Sequence, residues 1–272
     1  MAVEVPDSWG LTGKVAVVTG GGAVGDGIGN GWAAAILLAR AGAHVVVVDR
    51  EEALAQRTVT MIVEDGGSAM AVQADVTRAA DCAAVVQAAL ERFGRLDTVI
   101  PNAGFQHVAP VQEFPEDRWD AMIALLLTSP FLLARAAWPT LVESGDGRFV
   151  AVASVHGLVA SPFKSAYVSA KHGLIGLVRT LALEGAEHSI LASAVCPAYV
   201  RTPLVESQVA AQAEAHGMPE DRVLEEVILA PQAVKRMLEP AEVADTVAYL
   251  LGPGGRAFTG AAVTMDLGWT AR

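Results

Sequence analysis

A run of four valines between His44 and Asp49 is the feature that most constrains how this chain can fold. β-Branched side chains favour extended backbone, so the run predicts a strand. A strand that is apolar on both faces has to be covered on both faces, which is typical of a parallel sheet packed between two layers of helices. The run therefore predicts an α/β protein with a buried parallel sheet.

Similar β-branched runs recur along the chain and alternate with longer stretches rich in Ala and Leu. Strands are expected at 14–19, 44–49, 69–73, 96–100, 148–153, 191–195 and 262–266. Helices are expected at 31–41, 51–65, 78–93, 119–142, 166–187, 203–238 and 241–251. Proline predicts a kink near Pro130 and interruptions at Pro219 and Pro231. The alternation predicts a doubly wound, seven-stranded parallel sheet in a single domain spanning 1–272, with 203–238 as a helical lid over the substrate.

Composition excludes several classes of function. Hydrophobic residues make up 53% of the 272 residues, which is ample for a core. Lys and Arg number 19 against 30 Asp and Glu, a net charge of −11, which argues against a general nucleic-acid binder. Cys82 and Cys196 form no Cys-x-x-Cys pair or Cys/His cluster, so neither a metal site nor a disulfide framework is expected. The first ten residues lack a basic region and no apolar run reaches about 18 residues, so we expect a soluble, cytoplasmic protein without a membrane partner.

A glycine-rich loop connects the first predicted strand to the first predicted helix. It starts at Thr19-Gly20 and ends at Gly29-Asn30-Gly31. Glycines let the backbone approach a pyrophosphate, and the N-terminus of a helix favours its negative charge. A flexible loop would also explain the glycines, but their place between strand and helix favours a phosphate site.

Polar residues at the ends of the next strands extend this site. Asp49 can accept hydrogen bonds from both ribose hydroxyls of NAD and repels the 2′-phosphate of NADP, so NAD is favoured although Arg50 follows. Asp75-Val76 and Asn102-Ala103-Gly104 follow the third and fourth strands, at the edge where such sheets bind ligands, although ordinary turns would also use these residues. We therefore expect a NAD site that includes Thr19, Gly20, Gly29, Gly31, Asp49, Asp75, Val76, Asn102 and Gly104.

Three further residues form a candidate catalytic group. Tyr167 and Lys171 are four residues apart in a predicted helix and share one face. A nearby ammonium stabilises phenolate and lowers the pKa of a tyrosine, which makes it usable as a general acid or base. Ser154 follows the fifth strand and can hold a substrate oxygen. An exposed helix pair is the alternative for Tyr167 and Lys171, and Ser154 at the same sheet edge makes it less attractive.

Thr19-Gly20 with the following glycines, Asn102-Ala103-Gly104, Ser154, Tyr167-x-x-x-Lys171 and Pro197 resemble the short-chain dehydrogenase/reductase family. The resemblance covers nearly the whole chain and implies a Rossmann-type fold. It implies that Tyr167 exchanges a proton with the alcohol oxygen, that Lys171 holds the nicotinamide ribose and that Ser154 holds the substrate oxygen. It also implies that Pro197, Val200 and Thr202 contact the nicotinamide.

Within this family, segments 102–110, 154–167, 200–208 and 268–272 are most similar to the D-3-hydroxybutyrate dehydrogenases. The resemblance implies NAD-dependent, reversible oxidation of D-3-hydroxybutyrate to acetoacetate by a homotetramer. It implies that Gln106, His156, Lys164 and Gln208 hold the substrate carboxylate, for which their N–H groups are suitable donors. Trp269 is expected to close the pocket of a partner subunit, with plain C-terminal packing as the alternative.

The chain departs from the family pattern in ways that leave alternatives open. The glycine-rich loop is about five residues longer than the family's. Leu126 stands where the family has an Asn that links the lysine to solvent through a water, which puts this proton relay in doubt. Tyr199 stands where the hydroxybutyrate enzymes have a Trp beside the substrate. Another 3-hydroxy acid or secondary alcohol is therefore the alternative substrate, and a weakly catalytic cofactor-binding protein is the alternative function.

Overall fold

The protein is described from a computed structural model, which covers residues 9–22, 27–206 and 208–271. Its centre is a seven-stranded, all-parallel sheet with strand order β3-β2-β1-β4-β5-β6-β7. The strands are β1 (Val15–Thr19), β2 (His44–Asp49), β3 (Ser68–Gln73), β4 (Thr98–Ile100), β5 (Gly147–Val152), β6 (Ile190–Pro197) and β7 (Ala262–Met265). The predicted fold class, a doubly wound parallel α/β sheet, is confirmed.

Helices cover both faces of the sheet. They are α1 (Asn30–Arg40), α2 (Glu52–Glu64), α3 (Ala79–Phe93), α4 (Glu116–Ile123), α5 (Ser129–Glu143), α6 (Ser165–Gly185), α7 (Pro203–Glu206), α8 (Val209–His216), α9 (Glu220–Val223) and α10 (Pro240–Leu251). The valines of β2 show why two helical layers are needed. All four are fully buried, and Val45 and Val47 belong to the core on the face covered by α1 and α2, while Val46 and Val48 belong to the core on the face covered by α3.

The kink expected near Pro130 is a π-helical turn, Ala124–Thr128, between α4 and α5. Pro130 has no N–H to donate, so a regular helical hydrogen bond is missing there and the widened turn absorbs the change. The helical stretch Glu116–Glu143 is long and apolar enough to cross a membrane by length and composition. Leu133, Ala137 and Leu141 on it are buried in the core against the sheet, which accounts for this composition.

The helix predicted over 203–238 is wrong beyond Ile228. After α9 and the π-helical turn Leu224–Ile228, the chain leaves the helical conformation. Pro231 cannot continue a helix, and the backbone beyond it pairs with distant segments instead. The N–H groups of Ala233 and Val234 both donate to the carbonyl of Leu267, and Leu238 forms a bridge with Val200. This segment is therefore joined to the end of the chain, and its function as a substrate lid stays a prediction.

The strand order places a ligand site at one edge of the sheet. From β1 the chain runs outward through β2 and β3, then returns to the other side of β1 with β4. Connections leave the carboxyl ends of β1 and β4 in opposite directions, which opens a crevice between them. The loops after β1, β2, β3, β4, β5 and β6 all converge on this crevice.

Candidate active site

A cleft of about 1000 Å³ occupies the carboxyl edge of the sheet. It brings together most of the predicted site residues, namely Gly20, Gly29, Gly31, Asp49, Asp75, Val76, Asn102, Gly104, Gln106, Ser154, His156, Lys164, Tyr167, Lys171, Pro197, Tyr199, Val200, Thr202 and Gln208. Thr19 and Trp269 are not among the residues that line it. The cleft therefore joins the segments predicted for the cofactor and for the substrate in one cavity.

Thr19 supports the wall of the cleft from behind. It is buried, and its hydroxyl oxygen accepts the N–H groups of Asn102 and Ala103 at 3.1 and 3.2 Å. The Asn102 amide in turn donates to the carbonyls of Thr19 and Gly20 at 3.0 and 3.1 Å. These bonds fasten the loop after β4 to the start of the glycine-rich loop, so Thr19 and Asn102 fix the shape of the site.

The glycines of the loop meet different requirements. Gly20 has a φ of +61°, and a Cβ there would lie 2.7 Å from the Cα of Ala103. A Cβ at Gly31 would collide with the Asn102 amide and the Gly20 carbonyl. These two glycines therefore allow close backbone packing. Gly29 has nothing within 4 Å of an added Cβ, so the open space for a ligand lies there.

The N-terminus of α1 borders that open space. Gly29 precedes the helix, no side chain caps it, and Gly29, Asn30 and Gly31 all line the cleft. The first N–H groups of a helix have no partner within it and attract anions. This end of α1 can therefore bind a phosphate group.

Asp49 holds the loop as well as facing the cleft. Its carboxylate accepts the N–H of Gly22 at 3.1 Å and that of Glu51 at 3.2 Å. A Cβ at Gly22 would lie 2.6 Å from the carboxylate, so only glycine allows this approach. Residues 23–26, most of the predicted insertion, lie outside the described residues. After them Gly27 lies against Pro203, where a Cβ would be 2.5 Å from the proline Cγ.

The catalytic candidates lie at the centre of the cleft. Ser154 follows β5, and Tyr167 and Lys171 project from the first two turns of α6. Burial raises the pKa of Tyr167 to about 12, against the lowering effect of a hydrogen bond from Ser154. Burial lowers the pKa of Lys171 to about 8. The Lys171 amino group donates to the Val152 carbonyl at 2.8 Å and lies 5.7 Å from the centre of the Tyr167 ring.

The expected lowering of the Tyr167 pKa by Lys171 is therefore not seen in this arrangement, because desolvation outweighs every other influence on the phenol. Lys171 is nevertheless positioned to supply positive charge beside the ring.

A second Lys–Tyr pair forms the far wall of the cleft. Lys164 is 2% exposed, and its amino group donates to the Tyr199 hydroxyl at 2.7 Å. Burial lowers the pKa of Lys164 to about 7 and raises that of Tyr199. The Tyr199 ring stacks on Trp269 at 5.9 Å between ring centroids. Trp269 thus packs behind Tyr199 within its own chain, and its contact with a partner subunit stays a prediction.

His156 has both ring nitrogens engaged. Nδ1 lies 3.4 Å from the Ser154 hydroxyl oxygen, and Nε2 lies 2.9 Å from that of Ser161. The pKa of His156 is lowered to about 3. Burial is the largest cause, and repulsion from Lys164 and from His172 adds to it. The imidazole is therefore neutral at ordinary pH, with one nitrogen donating and the other accepting.

Two glutamines near the cleft carry buried atoms without a hydrogen-bond partner. These are Nε2 of Gln106 and Oε1 of Gln208, while Nε2 of Gln208 donates to the Leu204 carbonyl at 2.7 Å. A buried polar atom without a partner costs about 1–3 kcal/mol. Such atoms in the wall of a cleft indicate that a polar ligand completes them.

A family model described as short chain dehydrogenase matches residues 14–213, which is most of the chain. The chain belongs to the short-chain dehydrogenase family. It is 42% identical over 261 residues to a D-beta-hydroxybutyrate dehydrogenase of Rhizobium meliloti, covering 95% of this chain and 99% of that protein. It is 40% identical over 262 residues to a D-beta-hydroxybutyrate dehydrogenase of Cupriavidus necator, covering 96% and 100%. A solved structure described as a short-chain dehydrogenase/reductase of Burkholderia xenovorans superimposes with a TM-score of 0.89 at 31% identity, covering 96% of this chain and 98% of that one.

Membership of the short-chain dehydrogenase family confirms the predicted oxidoreductase class and a nicotinamide cofactor. The residues present fit such a cofactor, since the uncapped N-terminus of α1, the open space at Gly29 and the acid Asp49 lie along one side of the cleft. Among the described residues no group of three His, Cys, Asp or Glu side chains could hold a metal ion.

Two residues of this short-chain dehydrogenase site could not be predicted from the sequence. Ser161 bonds to His156 from a loop five residues further along, and a lone loop serine carries no pattern. Gly22 is needed for its approach to Asp49, but in a run of glycines it cannot be told from its neighbours.

Proposed function

We propose that this short-chain dehydrogenase oxidises D-3-hydroxybutyrate to acetoacetate, reversibly, with NAD as the cofactor. The observation that carries the proposal is Lys164, a buried lysine at the end of the cleft opposite the cofactor side. A cation taken out of water is costly unless an anion meets it. A small substrate carboxylate meets this need, and the relatives of Rhizobium meliloti and Cupriavidus necator are named for a substrate that carries one.

The donors around Lys164 support a carboxylate site. The Gln106 amide has an N–H without a partner, and Gln208 lines the same cavity. Charge-assisted hydrogen bonds to a carboxylate are about twice as strong as neutral ones. We therefore assign the carboxylate to Lys164, to the Gln106 amide and to the second N–H of Gln208 Nε2, whose first N–H donates to the Leu204 carbonyl. His156, the fourth predicted ligand, has no free ring nitrogen in this arrangement and has to break a serine contact to take part.

The chemistry at the hydroxyl is assigned to Ser154, Tyr167 and Lys171. Ser154 donates to the substrate oxygen and holds it beside the phenol. Tyr167 in its phenolate form takes the proton of the alcohol hydroxyl, and as phenol it returns that proton in the reverse direction. Lys171 stabilises the phenolate by its positive charge. When bound, a nicotinamide cofactor accepts the hydride from the carbinol carbon.

NAD rather than NADP is proposed on the basis of Asp49. Its carboxylate ends β2 at the edge of the cleft, where the ribose of the cofactor's adenosine half is expected. A 2′-phosphate at this position would meet like charge. Asp75 and Val76 are proposed to contact the adenine, and Pro197, Val200 and Thr202 the nicotinamide end.

We further propose a single catalytic domain that assembles as a homotetramer in the cytoplasm. Exposed apolar side chains on α4 and α5, among them Trp119 and Phe131, support self-association, since large apolar residues are better covered than hydrated. The buried free thiols of Cys82 and Cys196 are compatible with a reducing compartment.

NADH formation, followed by absorbance, tests the proposal with D- and L-3-hydroxybutyrate, a longer 3-hydroxy acid and 2-butanol. We expect D-3-hydroxybutyrate to exceed 2-butanol in kcat/KM by about 100-fold, because 2-butanol has no carboxylate for Lys164. Lys164→Ala should remove that preference, and Tyr167→Phe should lower kcat by about 1000-fold with every substrate. Equal turnover of 2-butanol and the hydroxy acids contradicts the proposed substrate.

A different 3-hydroxy acid is the second candidate substrate, and the presence of Tyr199 favours it. Tyr199 fixes the position of Lys164 and forms the wall near the substrate, so its shape decides how long an acid fits. A higher kcat/KM for the longer 3-hydroxy acid, with the preference over 2-butanol kept, selects this alternative.

A further inference from the structure

A second cavity lies behind the substrate end of the cleft. Its volume is about 250 Å³, and Lys164 and Tyr199 line both cavities, so this pair forms part of the wall between them. The rim of the second cavity includes the exposed residues Pro162 and Glu226, so it opens to solvent. Ser161 also lines the second cavity.

Hydrogen bonds connect Tyr167 to this cavity through the protein. Ser154 lies close enough to Tyr167 to lower the pKa of the phenol as a hydrogen-bond donor, and its oxygen lies 3.4 Å from Nδ1 of His156. The backbone N–H of His156 donates to the same oxygen at 3.1 Å, and this bond fixes the position of the serine hydroxyl relative to the imidazole ring. On the far side of the ring, Nε2 lies 2.9 Å from the hydroxyl oxygen of Ser161. A row of donors and acceptors therefore leads from the catalytic phenol to the cavity that opens to solvent.

Other directions around Tyr167 are closed by apolar groups. Its ring packs with Met122, Leu126, Ala166 and Ala170, which are all buried. Lys171 donates to the Val152 carbonyl. Once cofactor and substrate fill the cleft, the phenol loses its contact with solvent on that side as well. A proton taken up by Tyr167 then needs a route through the protein.

We propose that Ser154, His156 and Ser161 form a proton relay that carries the alcohol proton from Tyr167 to the second cavity. The inference rests on the proposed function of Tyr167 as general base. In the oxidation direction Tyr167 gives its proton to Ser154, the Ser154 proton passes to Nδ1 of His156, the Nε2 proton passes to Ser161, and the Ser161 proton leaves to water. One proton reaches solvent, Tyr167 is again a phenolate, and each relay residue keeps its number of protons.

The state of His156 supports this use. A relay needs an imidazole that accepts at one nitrogen while it donates at the other, and only the neutral ring does so. Burial and the neighbouring Lys164 and His172 favour the neutral ring. The ring returns to the Nε2–H tautomer between turnovers. Reduction of the ketone runs the same transfers in reverse and draws a proton from the second cavity.

Ser161→Ala tests the relay, because Ser161 lies outside the proposed carboxylate and cofactor sites. We expect kcat for oxidation to fall by about tenfold with KM unchanged, and the solvent deuterium isotope effect on kcat to increase, because proton exit becomes slower. Ser165→Ala is the matched control. It removes a hydroxyl four residues away that has no hydrogen-bond partner, and both kcat and the isotope effect should equal those of the parent.

His156→Ala adds a second readout. Neutral imidazole added to this variant should restore kcat in proportion to its concentration, since it can occupy the space of the missing ring. A merely structural function of His156 would give no such rescue. The melting temperature of each variant checks that it is folded.

The two proposals fail in different ways. Absence of turnover in the parent enzyme with every alcohol, or full activity of Tyr167→Phe, rejects the proposed function. An active parent whose Ser161→Ala variant keeps kcat and the isotope effect, or a folded His156→Ala that imidazole does not rescue, rejects the relay alone.

Discussion

The two sides of the cleft satisfy their polar groups in different ways. On the cofactor side, the side chains of Thr19, Asn102 and Asp49 form hydrogen bonds with the backbone of the loops that make up the wall. On the substrate side, Gln106 and Gln208 carry buried atoms without partners, and Lys164 is a buried amine whose pKa is lowered to about 7. The loops of the first side are fastened to one another before a ligand arrives, and its open donors are those of the uncapped N-terminus of α1, whereas the second side keeps side-chain polar atoms unpaired.

This difference indicates how each ligand is recognised. The cofactor side presents a fixed surface of backbone N–H groups and one acid, so binding there needs little rearrangement. The substrate side gives up stability by keeping polar groups unpaired, at about 1–3 kcal/mol for each buried atom. A ligand that pairs them recovers this free energy as affinity. A substitution that removes such a polar group from the substrate side should therefore raise the stability of the protein and lower its affinity for the substrate.

Lys164→Met should produce the largest contrast. We expect KM for D-3-hydroxybutyrate to rise by about 100-fold, because the carboxylate loses a buried charged partner. The melting temperature should rise, because an apolar side chain of similar length replaces a buried cation. The affinity for NAD, measured by calorimetry, should be unchanged, since Lys164 lies at the other end of the cleft.

The control is Lys235→Met, which makes the same substitution at an exposed lysine that does not line the cleft. It should change neither KM nor NAD affinity. If the Lys164→Met enzyme had lower stability and an unchanged KM, Lys164 would contribute to the stability of the fold and not to binding of the substrate carboxylate.

How far the sequence could predict this contrast differs between the two sides. The sheet, the glycine-rich loop and Asp49 follow from local patterns, because β-branched runs and glycines between strand and helix have few other uses. The state of Lys164 could not be predicted, since its burial depends on Tyr199, 35 residues away. The non-helical course beyond Pro231 depends on pairing with Leu267, near the end of the chain. Both depend on tertiary contacts that no local pattern reports.

The charge on Lys164 should also make substrate-side binding depend on pH. Burial holds its pKa at about 7, so the cationic fraction falls above that pH, and so does affinity for an anion. The inhibition constant of butyrate, a carboxylate without the reacting hydroxyl, should be flat below about pH 7 and rise about tenfold per pH unit above it.

Lys164→Arg should abolish this rise, because a guanidinium stays charged throughout. His156, with a pKa of about 3, and Tyr167, with a pKa of about 12, keep one protonation state over this range. A butyrate profile that is identical in the parent and in Lys164→Arg would assign the pH dependence to another group, Lys171 being the next candidate.

Asp49→Asn should give the smallest effect and act on the cofactor side alone. The amide keeps the shape and can still accept the N–H of Gly22, but it removes the charge that disfavours a 2′-phosphate. An exposed, screened charge pair is worth up to about 1 kcal/mol, so the ratio of kcat/KM with NAD to that with NADP should fall by about fivefold. Asp75→Asn, with the same charge change after β3, should lower affinity for both cofactors equally and leave the ratio intact.

KM for D-3-hydroxybutyrate should not change in either variant, because the carboxylate ligands lie on the other side of the cleft. A large shift in that KM would show that the two sides are coupled, and the contrast between them would then be a property of the ligand-free cleft only.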